Sequence, residues 1–234
     1  AKVIELNPRQ FVLRALANAK QTLSGGTTSR RDLGDRAFLE FAVRDACNSG
    51  EQFGPTIRAA GQIICMTGGH GNQHGRVADG PDEVVKAVRE QVHAGSDVIK
   101  LMATGGVMTP GVNPEDAHYS ENELRVGVEE GHRFHRTCAS HAQGSAGILN
   151  AVRAGMDSIE HGIFMTDECV ELMLSKGTYL VPTLSALLNI LVNADQGIPE
   201  YVVEKTERIK DRHKESVLMF HRAGGKIAMG TDAG

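Results

Sequence analysis

The chain has 234 residues, 41% hydrophobic and 23% charged, with a formal net charge of −4. That is the profile of a globular chain large enough for one sizeable core, and its mild acidity argues against a nucleic-acid or polyanion partner. No apolar run approaches the ~20 residues needed to span a bilayer, no basic-then-apolar leader opens the chain, and aromatic residues make up only 4%, so the core has to be aliphatic.

Short β-like runs alternate with longer helical patterns. The β-like runs fall at 27–33, 56–66, 97–103, 137–141, 157–161, 178–182 and 226–230. Helical punctuation lies between them. Pro81 opens one helix with Asp82 and Glu83 in its first turn, and Gly95 closes it. Ser120 and Glu123 form an S-x-x-E capping box for the next. Thr166 caps a third, which ends at Lys176 and Gly177. A long charged helix from about Pro199 to Ala223 precedes the last β-run. Cys47, Cys65, Cys138 and Cys169 are scattered with no C-x-x-C pair, so buried free thiols are expected rather than structural zinc or disulfides. This leans toward a soluble chain in a reducing compartment such as the cytoplasm.

No low-complexity linker divides the chain, and residues 1–234 read as a single domain. Repeated βα units predict a parallel sheet, first as a TIM-type (β/α)8 barrel and second as an open doubly wound sheet. The absence of G-x-G-x-x-G after the first run weighs against a dinucleotide-binding oxidoreductase, and "TGGHGNQHG" is only a weak phosphate cradle.

Chemistry in such a barrel sits at the C-terminal ends of the strands. Reading those ends in order gives Lys100 in "SDVIKLMATGG", His141 in "TCASHAQG", His161 in "DSIEHG" and Asp232 in "IAMGTDAG". Histidine nitrogens and an aspartate oxygen are ordinary zinc ligands. A buried lysine loses part of its charge through desolvation, and the neutral amine can add carbon dioxide to become an anionic, metal-bridging carbamate. The alternative is a salt bridge between Lys100 and Asp232, and the chemistry alone leaves both open.

The ordered set "DVIKLMATGGV", "SHAQG", "IEHG" and "GTDAG" resembles the amidohydrolase superfamily. "TTSRRDLG" and "TGGHG" upstream narrow the resemblance to the branch holding bacterial Xaa-Pro dipeptidases (prolidases) and imidazolonepropionase-like proteins. It covers residues 25–234. It implies a carboxylated Lys100, His141 and His161 as metal ligands, and Asp232 as both ligand and general base. It also implies substrate contacts from His70 in "TGGHG" and Tyr119 in "EDAHYS". His74 and His118 read as surface residues, and His93, His132, His135, His213 and His221 as helical residues outside the site.

Two departures from the family stand out. No H-x-H, which the family carries on its first barrel strand, occurs in the chain, so strands 2 to 8 are expected and the chain reads as an internal fragment. The complete enzyme is expected to hold two divalent cations, zinc foremost, bridged by Lys100; the residues here suffice for one. Arg30 replaces an apolar strand residue and implies an ion pair or a local misregister. The expected function is hydrolysis of an amide bond in a dipeptide with C-terminal proline or an N-acyl amino acid. The alternatives are a cyclic amide or imidazolone hydrolase and a catalytically silent barrel fragment. The expected partners are a dipeptide or other small-molecule substrate, with no nucleic acid and no membrane; a homo-oligomer is compatible with this reading.

Overall fold

The computed structural model describes residues 7–233. Residues 1–6 and Gly234 lie outside them. In chain order the elements are α1 (Pro8–Ser24), β1 (Ser29–Asp32), α2 (Leu39–Asn48), β2 (Thr56–Ala59), β3 (Ile64–Cys65), β4 (Arg76–Val77), α3 (Gly80–Ala94) and β5 (Val98–Met102). They continue with α4 (Glu121–Arg133), β6 (Thr137–Ala142), α5 (Ser145–Arg153), β7 (Ser158–His161), α6 (Asp167–Lys176), β8 (Tyr179–Val181), α7 (Leu184–Val192) and α8 (Glu200–Arg222).

Every strand–strand ladder is parallel, as βα units demand. β1 pairs with β2, and the second sheet runs β4-β3-β5-β6-β7-β8. The two sheets meet where Asp97 N–H donates to the carbonyl of Ala59 at 2.8 Å. At the far side, Leu180 N–H reaches the carbonyl of Lys226 and Ala228 N–H that of Leu180, each at 2.9 Å, so residues 226–228 add the last parallel segment. The architecture is an incomplete (β/α)8 barrel. Among the described residues β1 pairs with β2 alone, which leaves its other edge without a strand.

Alternation along β5 sorts its side chains between two environments. Ile99 and Leu101 pack outward with Val84, Val88, Leu124 and Val128 of α3 and α4. Val98 instead joins Ala139, Ala60 and Leu33. Lys100 and Met102 share its face, so the lysine points into the barrel. The predicted run 56–66 is interrupted: Gly61 takes φ +81°, which splits the run into β2 and β3. The predicted caps are present, with a reciprocal capping box at Ser120 and Glu123 and left-handed glycines at Gly95 and Gly177. The four cysteines are buried and free. No described helix is long and apolar enough to cross a membrane.

One device recurs at the N-terminal end of the barrel. "AGSDVI" and "AGMDSI" each place an aspartate just ahead of a strand. Asp97 brackets the preceding strand by donating its N–H to Ala59 O and accepting Ala59 N–H on Oδ2, which Arg44 also reaches at 3.1 Å. Asp157 repeats this on Cys138, its Oδ2 lying 2.7 Å from both Cys138 N and His132 Nε2. Substituting Asp157 by alanine strands a strand N–H and should cost about 1–3 kcal/mol, with Asp97→Ala similar. Urea denaturation of both variants checks this, and an unchanged midpoint would refute the bracketing role.

Near the open edge, both carboxylate oxygens of Glu40 are buried without a hydrogen-bond partner. Burial, with Asp32 and Asp35 nearby, raises this carboxyl from 4.5 to about 8. A folded-state value above the unfolded one means the native chain holds the proton more tightly, so stability falls as pH rises from about 4.5 and the loss is complete above about 8. Glu40→Gln should therefore stabilise the chain by roughly a few kcal/mol at pH 8, with the gain vanishing toward pH 4.5. A pH-independent difference in melting would contradict the assignment.

Candidate functional site

Lys100 lies in β5, whose five residues are all buried. Desolvation lowers its amine to about 8, against the opposing pull of Glu160 and Asp232. Neither carboxylate forms an ion pair with it among the described residues. Glu160 is taken by Arg31, whose guanidinium reaches across from β1 to Glu160 Oε1 at 2.7 Å and to Ser158 Oγ at 3.0 Å.

His141 sits opposite Met102 in the β5–β6 register, on the face that carries Lys100. Its Nε2 lies 2.8 Å from the carbonyl oxygen of Gly105. A carbonyl only accepts, so Nε2 carries the proton and Nδ1 keeps its lone pair. His161 follows Glu160, which faces inward, and strict alternation would send it outward. Its φ of +74° breaks the alternation, and its ring comes within 4.7 Å of His141, centroid to centroid. Its Nδ1 is 2.7 Å from Thr183 Oγ1, which leaves Nε2 for a ligand. His213 of α8 donates from Nε2 to the carbonyl of His161 at 3.0 Å and supports this turned backbone. Burial holds both His141 and His161 well below the ordinary imidazole range, so they are neutral and basic-nitrogen donors at pH 7.

His70, on the loop after β3, stacks at 4.5 Å from the His141 ring, its Nδ1 2.8 Å from Thr109 Oγ1. Burial, with His118, Lys100 and Lys205 adding, lowers it to about 4. Asp232 has φ +52° and retains solvent access. The protein around it still raises its carboxyl above the usual range, with Lys100 pulling the other way.

The structure thus sets the rings of His70, His141 and His161 against one another at the strand ends. Lys100 lies in the middle of β5 on the face that carries His141, with Asp232 exerting an electrostatic pull on it. Tyr119 goes elsewhere and is a correction. It is 1% exposed within the main core, and its hydroxyl donates to the carbonyl of Ala78 at 2.7 Å, so it does not face the site. His118 is half-buried rather than on the surface, its Nδ1 3.4 Å from His70 N. Of the two readings of Arg30, a local misregister or an ion pair, the structure has the ion pair, with Asp32 at 2.9 Å. Arg31 and His213 were not anticipated. Alternation could have flagged Arg31, because it sets Arg30 and Asp32 on one face of the strand and Arg31 on the other.

The donor set suits a divalent cation: two neutral imidazoles, each with one nitrogen fixed by the protein and one left over, and a carboxylate. A second group, His132, Cys138 and Asp157, has ligand atoms within 4.8 Å of one another. It lies at the opposite end of the barrel, where the bracketing bonds of Asp157 account for it.

Comparison with known proteins agrees with this fold. The amidohydrolase family model matches residues 3–234. An ochratoxinase from Aspergillus niger is 35% identical over 97% of this chain and 52% of its own length. A crystal structure of a Xaa-Pro dipeptidase with bound methionine in its active site superposes with a TM-score of 0.91 at 34% identity, covering 98% of this chain and 61% of that one. The A. niger ochratoxinase structure gives 0.89 at 33%, covering 97% of this chain and 57% of that one. The chain spans about half the length of the curated relative and three fifths of these structures. On the family match and the shared fold, the chain belongs to the amidohydrolase family.

Proposed function

We propose that these residues form the catalytic centre of a metal-dependent amide hydrolase, acting on a dipeptide with C-terminal proline or on an N-acyl amino acid. The observation that carries this is the division of labour on the two buried histidines. Each spends one ring nitrogen on the protein, His141 on Gly105 O and His161 on Thr183 Oγ1, and keeps the other for a ligand. Similarity to a Xaa-Pro dipeptidase, and to a prolidase complexed with N-methylphosphonate-L-proline (31% identity, TM-score 0.91), supports the proline-containing substrate.

Zinc, or another divalent cation that accepts nitrogen and oxygen donors, would be held by His141, His161, Asp232 and Lys100. Such a cation lowers the pKa of water and polarises a carbonyl. Lys100 joins as a carbamate: the ammonium gives up one proton, the neutral amine adds carbon dioxide through a new N–C bond and loses a second proton, and a cation becomes an anion with two oxygens. The lack of an ion pair to Lys100 among the described residues favours this, because Glu160 and Asp232 attract the amine without closing on it. Asp232 takes the proton of the attacking water and delivers it to the departing amine. His70, kept neutral by burial, offers its remaining nitrogen to the substrate carbonyl or carboxylate.

Lys100→Arg separates the carbamate from a simple charge. Guanidinium forms no carbamate and stays cationic. Metal analysis and turnover on Xaa-Pro dipeptides should show loss of bound metal and a fall on the order of 10²-fold or more. A metal-replete, fully active Lys100→Arg protein would sink the carbamate. Turnover of a cyclic amide but not of dipeptides would move the substrate, and metal without turnover of either would favour a silent barrel.

A further inference from the structure

The loop between β5 and α4 is closed at its neck and gripped at its tip. At the neck, His118 N–H donates to Ala103 O at 2.8 Å and Gly105 N–H to Asp116 O at 3.0 Å. The tip is held by α8, some 90 residues further along the chain. Tyr201 Oη donates to Met108 O at 3.0 Å, and Arg208 to Asn113 Oδ1 at 2.8 Å. Between them Lys205 Nζ donates to two carbonyls at once, Thr109 O at 2.9 Å and Val112 O at 2.6 Å. Gly111, at φ +72°, makes the turn that brings those two carbonyls to one donor.

The inner side of the same loop sets two histidines. Thr109 Oγ1 lies 2.8 Å from His70 Nδ1, and Gly105 O takes the Nε2 proton of His141. Gly106 supplies the floor under His70, since a Cβ there would meet His70 Nε2 at 2.5 Å. A single ammonium on a helix remote in sequence is therefore tied, through one short loop, to the orientation of two rings in the site.

We propose that Lys205 is a positioning residue, which fixes the ring orientations of His70 and His141 and the tautomer of His141 by clamping the loop through Thr109 O and Val112 O. The proposal rests on the hydrolase reading only for the role of those two rings. Loss of Lys205 leaves two loop carbonyls without their charge-assisted donor, and the loop then opens without the barrel unfolding.

The test compares Lys205→Met, which keeps the length and loses the donors, with Lys205→Arg, which restores donors. Hydrogen exchange followed by residue should show the Gly105 and His118 amides exchanging on the order of tenfold faster in Lys205→Met, with β5, β6 and the body of α8 unchanged. Long-range ¹H–¹⁵N spectra of the imidazoles should show wild-type His141 with Nε2 protonated and Nδ1 bare, a pattern that averages in Lys205→Met, where the His70 signals also shift, and that returns in Lys205→Arg. Unchanged loop exchange and imidazole signals in Lys205→Met overturn the proposal, and so does acceleration spread evenly over the whole chain. Should Lys205→Met fail to fold, Thr109→Val leaves the clamp in place and frees one ring: the His70 signals must move while those of His141 stay, and unmoved His70 signals overturn it. None of these readouts needs turnover, so a failure of the hydrolase reading and a failure of this one are told apart.

Discussion

An amine buried inside a barrel, with no ion-pair partner among the described residues, is the constraint on which the rest of this structure turns. Lys100 is 5% exposed on a strand buried along its whole length. A charged ammonium there is costly unless it is paired. The nearest relief would be Glu160, but Arg31 occupies that carboxylate from across the barrel. Asp232 attracts the lysine without closing to an ion pair. The amine is left lowered to about 8, part of it neutral at physiological pH, in a ring of basic nitrogens. An interior built this way suits a ligand that turns the amine into an anion better than it suits a resident ammonium.

The scaffold around the amine does two separable things. Parallel register sets His141 opposite Glu160 on β6 and β7, and places Lys100 on the same inward face of β5 two residues deeper, opposite Ala139. The loops and helices beyond the strand ends then aim the rings. His161 turns through a left-handed residue held by His213 and Thr183, and His141 and His70 are oriented by the loop under α8. The opposite end of the barrel carries the paired aspartate brackets. Stability devices and candidate chemistry thus occupy opposite ends, as βα barrels ordinarily divide them.

Much of this was legible in the sequence because it is local. His141 and His161 lie at the ends of short β-runs and Asp232 follows one, whereas Lys100, read as a strand end, is the middle residue of β5; helix caps such as Ser120–Glu123 are written within four residues. Tyr119 shows the limit of motif reading: it lies at the right place in the chain, but its hydroxyl is needed to satisfy the carbonyl of Ala78 inside the core. The Arg31–Glu160 pair joins residues 129 apart, and Lys205 meets its loop across 96 and 93 positions. No periodicity or spacing encodes such contacts; they exist only once the strands have closed toward a barrel. The break of the 56–66 run was masked for another reason, because its apolar residues continue through Gly61 while the backbone does not.

The carbamate is the central claim, and carbon labelling tests it most directly. Metal-loaded protein carrying ¹⁵N-lysine, equilibrated with ¹³C-bicarbonate, should show one protein-bound carbonyl carbon coupled to a lysine Nζ. That signal should be absent from Lys100→Ala prepared in the same way. Metal-loaded wild-type protein with no such coupled carbon, its Lys100 still an unmodified amine, would contradict the account.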